Sequence, residues 1–569
     1  MQDQYLFQQP EHSPETNAHV ETKTLDQSSL SAFASLQALL QTEPKATTRI
    51  DRFMPTTGTL PKLNGLQAGK HKLLPWLFSA LRSFGQIIFI NNPITGIFLL
   101  VGLALQSPWY SLLAVIGTTS AQVASYWLGY DKGPQRQGVD GVNGALVGCA
   151  IAAFANLDGS DPWLFWLLLA ALGGGLTTFL IHGWSLWLLG RTGLPPLTLP
   201  FCLVTWLLLL LAALLGPSIL PLAATSLDQS STTSVFTLLS GLASGFGQIF
   251  LCSNPLTGFL VLVAMVIASP LAALAGLLGG IVGMLTGMLI GMTPASLAQG
   301  LWSYNGILVT IAIGGTFYAP TVRSLTIGLI GAVVTTLLSA LILAGLPIQW
   351  PILTAPFVLT TWILQLVVRQ TLPALIPVGL HSIVTPEEHR QRFVVAREVM
   401  LTFRNQLKNT LAGLPRPSLS LELPPESLTP IHMIFARFDL DNSGDLSLEE
   451  LCAAMAKSLE TTSNDQTQKT SLEKIFKAMD LSGDNSIDLN EFTELVLRWQ
   501  RLQQQHERLI AYIMPVDRNS NDSLSSTELN HLLANLSLAP LSIEEKHYLF
   551  LNSSAELTWS EFVDTLLLT

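Results

Sequence analysis

The chain has 569 residues, of which 49% are hydrophobic and 12% charged, and its formal net charge is −10. A soluble protein of this length holds about a quarter of its residues as charged groups, so a wholly soluble globular protein is excluded. The acidic balance and the lack of any basic stripe exclude a nucleic-acid binder.

Residues 1–70, rich in Gln, Ser, Thr and Pro and without apolar periodicity, read as a flexible polar tail. They place about seventy mostly polar residues ahead of the first apolar segment, which argues against a secretory signal peptide. The apolar region that follows, 73–372, includes a long stretch between Arg191 and Arg323 with no Lys, Arg or Glu and with Asp228 as its one acid. A bilayer interior disfavours every charged side chain, so this stretch reads as membrane-embedded.

The apolar region is written twice. Phe84-Gly85-Gln86 with Asn92-Pro93-Ile94-Thr95-Gly96 returns as Phe246-Gly247-Gln248 with Asn254-Pro255-Leu256-Thr257-Gly258, an offset of 162 residues. Asn143-Gly144-Ala145-Leu146-Val147 returns at the same offset as Asn305-Gly306-Ile307-Leu308-Val309. A third element, Leu194-Pro195-Pro196-Leu197-Thr198-Leu199-Pro200-Phe201, is matched by Pro351-Ile352-Leu353-Thr354-Ala355-Pro356-Phe357 at an offset of 156. One connecting loop therefore differs by six residues between the copies. These matches divide the region into a first repeat, 73–215, a loop, 216–235, and a second repeat, 236–372.

Segments 162–190 and 323–345 are long enough to span a bilayer. The stretches 143–156 and 305–317 are short, and Asn91-Asn92-Pro93 and Asn254-Pro255 interrupt the helices around them. Broken helices at matching positions of two repeats point to a substrate path, because irregular backbone in a bilayer must be satisfied by protein or by a cavity. Lys45, Arg49, Arg52, Lys62, Lys70 and Lys72 precede the first repeat, whereas the loop between repeats has no cation. Lys132 and Arg136 lie in the loop 129–140, and its mate, 291–302, has none. Cations mark the cytoplasmic side, so the repeats are expected to be inverted, with both termini cytoplasmic.

These duplicated motifs resemble the urea transporter family over about 75–370. The resemblance implies a passive, channel-like path for urea at the interface of two inverted repeats in each subunit of a homotrimer, here in a cell inner membrane. It also implies that Gln86 and Gln248 face two urea-binding positions, that Thr198 and Thr354 supply central oxygens, and that Leu146 and Leu308 narrow the middle. Phe89 and Tyr304 keep the aromatic character of the slot walls, but Leu251 and Val142 stand at the matching positions of the other copies. Urea is small, flat and neutral, and a narrow slot edged with hydrogen-bonding groups suits it without fixed charge. The aliphatic positions leave open another small neutral solute, such as ammonia, water or a short amide. A calcium-sensing membrane protein that does not conduct is a further alternative. No catalytic constellation appears, and an enzyme is not expected.

Beyond the repeats, Thr385, Pro386 and Glu388 have the spacing of a helix start and Gly413-Leu414-Pro415 that of a stop. The helix 385–412 interleaves Phe393, Val394, Val395, Val399, Met400 and Phe403 with Arg390, Arg392, Arg397 and Arg404. Such a basic amphipathic helix is a connector, a membrane-surface element or the target of an EF-hand groove, for which Phe393, Val399, Met400 and Phe403 are suitable guests.

The region 425–569 carries twelve-residue EF-hand loops, which supply calcium with oxygens from positions 1, 3, 5, 7, 9 and 12. In the first loop these are Asp439, Asp441, Ser443, Asp445, Ser447 and Glu450, with Gly444 at the turn. In the second they are Asp480, Ser482, Asp484, Ser486, Asp488 and Glu491, with Asn485 taking the place of glycine. In the third they are Asp517, Asn519, Asn521, Ser523, Ser525 and Glu528. A fourth copy, 550–561, starts with Phe550 and ends with Glu561, and is expected to complete the second pair without metal. The domain resembles calmodulin-like proteins, with Ca2+ as its ligand. Cys149, Cys202, Cys252 and Cys452 follow no paired spacing and read as small buried hydrophobes. The expected fold class is all-α: a polytopic membrane protein of two inverted repeats with half-spanning helices, plus a soluble EF-hand domain.

Overall fold

The computed structural model describes residues 73–130, 132–157, 163–216, 234–345, 350–372, 385–414, 425–441, 443–451, 484–494, 496–498, 523–536 and 538–550. It also describes residues 60, 375, 476, 480, 556–558, 562 and 566. The tail 1–70, apart from Leu60, lies outside the described residues, as do most of the loop 216–235 and the residues Ser482, Asp517, Asn519, Asn521, Glu561 and Cys452. The chain divides into two compact units, the described residues of one lying within Met54–Gln391 and those of the other within Arg392–Thr569.

In the first unit the helices come in two matching series. The first is α1 (Leu73–Gln86), α2 (Pro93–Gln106), α3 (Pro108–Trp127), α4 (Lys132–Gln137), α5 (Gly141–Phe154), α6 (Trp163–Trp184) and α7 (Leu199–Leu215). The second is α8 (Val235–Gln248), α9 (Pro255–Ala268), α10 (Pro270–Leu289), α11 (Pro294–Ala298), α12 (Tyr304–Ile311), α13 (Val322–Gly345) and α14 (Ala355–Thr371). A π-helical turn, Ala312–Thr316, extends α12. Among the described residues α6, α10 and α13 are long and apolar enough to cross a membrane, and six shorter apolar helices accompany them.

The starts of these helices follow from their sequences. Proline occupies the first position of α2, α3, α9 and α10, where the N–H it lacks would have no helical partner. The residue before each supplies a cap. Asn92 Oδ1 accepts from the N–H groups of Ile94 (2.8 Å) and Thr95 (3.3 Å), and Asn254 Oδ1 from Leu256 (2.9 Å). Ser107 and Ser269 do the same with Trp109 and Ala272. The Asn-Pro pairs are thus breaks that restart a helix.

Backbone contact between α3 and α5 fixes the depth at which the short helix sits. A Cβ on Gly117 would stand 2.1 Å from the Gly144 carbonyl oxygen, and one on Gly144 would stand 2.3 Å from that of Gly117. Gly279 and Gly306 repeat this between α10 and α12 at 2.5 and 2.8 Å. With no hydrophobic drive between helices in lipid, such small-residue faces let dispersion and backbone packing hold them together. One continuous core joins both series, with Phe84, Leu146 and Phe201 beside Phe246, Leu308 and Phe357. Cys149, Cys202 and Cys252 are buried and free.

Helix α15 (Pro386–Leu411) follows. The Thr385 N–H and hydroxyl donate to Glu388 Oε2 at 3.0 and 3.3 Å, and Gly413 ends the helix in the left-handed region at φ 66°. Within the first unit, Glu387 accepts from Ser269 Oγ (2.6 Å) and from the Leu271 N–H (2.7 Å). Its carboxylate therefore sits at the positive end of α10.

The second unit contains α16 (Pro425–Phe438), α17 (Ser526–Asn535) and α18 (Ile543–Phe550). Strands β1 (Asp445–Leu446) and β2 (Ile487–Asp488) pair antiparallel, with Leu446 opposite Ile487. Strands β3 (Ser523–Ser525) and β4 (Glu556–Thr558) do likewise, with Leu524 opposite Leu557. The fourth loop, despite its missing first ligand, supplies the strand that completes the second pair.

Candidate functional site

Five described non-glycine residues of the first unit hold left-handed backbone: Leu60 (φ 53°) ahead of the repeats and, at matching positions of the two series, Phe89 (φ 60°) and Leu251 (59°), and Leu197 (53°) and Leu353 (52°). A branched or bulky residue in this region costs about 1–2 kcal/mol, so four of them at matching positions mark backbone held in place by its surroundings. Phe89 and Leu251 follow the two glutamines by three residues, and Leu197 and Leu353 immediately precede the two threonines.

The glutamines are anchored alike. Gln86 Nε2 donates to the Gln137 carbonyl at 3.4 Å, and Gln248 Nε2 donates to the Gln299 carbonyl at 3.0 Å. A backbone carbonyl can only accept, so each amide is oriented with its nitrogen inward, and its own oxygen is the end available to a donor. Urea carries such donors at two corners.

The threonines meet. Thr198 Oγ1 and Thr354 Oγ1 are 2.7 Å apart, and Cys202 Sγ lies 3.3 Å from Thr354 Oγ1. Neither threonine side chain caps the helix it precedes, so their hydroxyls do not serve to satisfy backbone freed by the following proline. Two tryptophans brace the crossing from opposite sides: Trp206 Nε1 donates to the Pro351 carbonyl at 2.9 Å and Trp362 Nε1 to the Pro195 carbonyl at 2.8 Å. Leu146 and Leu308 are buried in the shared core.

The left-handed turns are tied down by the asparagines of the short helices. Asn143 Nδ2 donates to the Leu197 carbonyl (3.2 Å) while its Oδ1 accepts from the Phe201 N–H (3.0 Å). Asn305 Nδ2 donates to the Leu353 carbonyl at 3.3 Å, joined there by the Tyr304 hydroxyl at 2.5 Å. Tyr304 is thus a backbone support as well as an aromatic wall. The Phe89 ring packs edge-on against Phe317 (5.7 Å) and Phe357 (6.0 Å), while Val142 and Leu251 are half-buried beside the same core.

Sequence reasoning missed a polar cluster confined to the first series. Asp140, buried at the start of α5, accepts from Ser125 Oγ and lies 3.1 Å from His182 Nε2. The His182 ring stacks on Tyr130 at 3.6 Å. Arg82, also buried, donates to the Asn91 backbone oxygen (3.0 Å) and Oδ1 (2.7 Å). An acid three residues ahead of Asn143 was the available signal for Asp140.

In the second unit, the oxygens of Asp439, Asp441 and Glu450 lie within 4.8 Å of one another. Ser443 N–H donates to Asp439 Oδ1 and Asp441 Oδ1, both at 2.9 Å, and Gly444 N–H to Asp439 Oδ2 at 2.9 Å. Hydrogen bonds from the Ser443 hydroxyl and N–H hold the Asp441 carboxyl below its ordinary value, and those from Ser447 do the same for Glu450. Gly444 (φ 90°) and Asn485 (φ 66°) both take the left-handed turn that the sixth loop position demands. A hard divalent cation fits this converging, ionised oxygen set. Of the second loop Asp480, Asp484, Ser486, Asp488 and Glu491 are described; of the third, Ser523, Ser525 and Glu528.

The urea transporter family model matches residues 77–369, and an EF-hand domain pair matches 428–497. "Urea transporter 1" of Ovis aries is 30% identical over 344 residues, covering 59% of this chain and 88% of that protein. Its counterpart in Mus musculus is 29% identical over 340 residues, with the same coverage. "Probable calcium-binding protein CML25" of Arabidopsis thaliana is 29% identical over 106 residues, 19% of this chain and 54% of that protein. With its membrane region matched from the first broken helix through the last, the chain belongs to the urea transporter family.

Proposed function

We propose that the chain is a passive, channel-like path for urea, with calcium bound by its EF-hand loops. The observation that carries the reading is the pair of glutamines, anchored through the same atom to the same structural position of each repeat, together with the Thr198–Thr354 contact that joins the repeats. In this reading Gln86 Oε1 and Gln248 Oε1 each accept a urea N–H. Urea then exchanges these bonds for the threonine hydroxyls as it passes Leu146 and Leu308. Phe89 and Tyr304 cover one face of each slot, and Leu251 and Val142 the other. The groups offered are neutral, so urea leaves as readily as it binds, while an ion would lose its hydration without compensation. The relatives favour urea over the other small neutral solutes that the aliphatic positions left open. The family is one of transporters, and no catalysis is assigned.

We keep the division into repeats 73–215 and 236–372, helix 385–412 and calcium domain 425–569. We place the chain in a cell inner membrane as a homotrimer with both termini cytoplasmic, supported by the cations before the first repeat and by the family resemblance. Radiolabelled urea flux into proteoliposomes tests the path. Gln86→Ala and Gln248→Ala should each reduce flux about tenfold or more with insertion and oligomer size unchanged. Normal flux in both variants removes the glutamines from the pathway.

A further inference from the structure

Helix α15 buries Ala396, Met400, Phe403 and Leu407, spaced by four, three and four residues along one stripe. That is the anchor spacing of a helix lying in a groove. Its anchors differ from those expected from the sequence, since Phe393 and Val399 are only half-buried. Phe403 meets Phe562 edge-on at 6.1 Å. Beside it, the Arg404 guanidinium donates to the Ala539 carbonyl, to the Pro540 carbonyl (2.7 Å) and to both oxygens of Glu545 (3.3 Å each). Glu545 is 1% exposed and also caps α18, accepting from the Ser542 N–H at 2.6 Å.

Every one of these partners belongs to the second EF-hand pair, and none is at a calcium-ligating position. The two halves of the pair are joined through their short strands. Leu524 and Leu557 are buried opposite each other, and Ser523 Oγ donates to Glu556 Oε2 at 2.5 Å. Its fourth loop begins with Phe550, which offers no side-chain oxygen. A sensor pair opens its groove to a target when calcium binds, but the ion pair that holds α15 here joins Arg404 and Glu545, neither of which is a loop ligand.

We infer that the two EF-hand pairs have different roles: the second is a calcium-independent clamp on α15, and the calcium response is confined to the first. Burial alone would raise the Glu545 carboxyl. The Ser542 N–H and the Arg404 and Lys408 charges outweigh it and hold the group below its ordinary value, so it stays ionised at neutral pH. The inference does not depend on urea being the substrate, because its test reads no flux.

Hydrogen exchange of the full chain in lipid nanodiscs supplies that test, comparing saturating calcium with chelator. Amide protection over 396–407 should agree within about threefold between the two conditions. Arg404→Ala should lower it about tenfold or more in both, and Glu545→Gln, which keeps the side-chain shape, should lower it too if the first variant fails to fold. A loss of more than about threefold in the unaltered chain on calcium removal would overturn the clamp.

Discussion

At the residue scale the central pair is the sharpest feature. Thr198 and Thr354 satisfy each other across the two repeats at 2.7 Å, both buried. Removing the Thr354 hydroxyl strands that of Thr198, a cost of about 1–3 kcal/mol, whereas the reverse change leaves Thr354 with the Cys202 thiol and removing both leaves neither hydroxyl unsatisfied. Thr354→Val should therefore destabilise the purified protein by more than the Thr198→Val/Thr354→Val double variant does. Thermal unfolding in detergent would show it; costs that simply add mean that the hydroxyls are not coupled. Flux separates this from function, since the stabler double variant should still conduct urea more slowly than the unaltered chain. The residues were legible as a duplicated Thr-x-Pro, but their meeting was not: nothing local to either copy says that the two copies touch. Asp140 and Arg82 were hidden for the opposite reason, because each lies in one copy alone and a reading built on repetition passes over it.

At the scale of elements, the signals that could be read were those with a local cause. The Asn-Pro breaks are caps, Thr385 and Glu388 bond as their spacing requires, and Asn485 takes the left-handed turn open to asparagine. The left-handed Leu197 and Leu353 could not be read, since leucine has no preference for that region and is held there from outside by Asn143, Asn305 and Tyr304. For the calcium loops, ligand charge sets the expected order. The first offers Asp439, Asp441 and Glu450, the second Asp480, Asp484, Asp488 and Glu491, and the third only Asp517 and Glu528 at side-chain positions. Calcium titration of the full chain should find the first two loops tighter than the third, and no binding by the fourth; four equivalent sites would contradict this. Asp441 and Glu450 have folded values below their ordinary 3.8 and 4.5. The hydrogen bonds responsible are thus fully present above those ordinary values and are lost as pH falls through the lower folded ones. Affinity of the first loop should accordingly be flat from about pH 6 to 8 and decline only in acid.

At the scale of the whole chain the question is whether calcium alters conduction. It can do so only by binding one conformational state more tightly than another, and that preference also sets the direction of the effect. Helix α15 is the element through which a difference could act, because its first turn is built into the membrane unit. Glu387 holds the start of α10, and a Cβ on Gly315, in the turn that extends α12, would stand 2.8 Å from Pro386 Cγ. Leu308 lies on α12 itself, and Phe317, which supports the Phe89 ring, follows that turn directly. A small shift of the first turn of α15 therefore bears on groups assigned to both the constriction and a slot wall. Urea flux with and without calcium on the cytoplasmic face should differ in the full chain and be indifferent to calcium in a chain ending at Leu380. Glu387→Ala should keep urea flux and calcium occupancy while losing most of the calcium effect, since it releases the anchor without touching loop or slot. Flux that ignores calcium in the full chain, with the first two loops shown to be filled, would mean that the domain buffers calcium or docks a partner and does not gate the path.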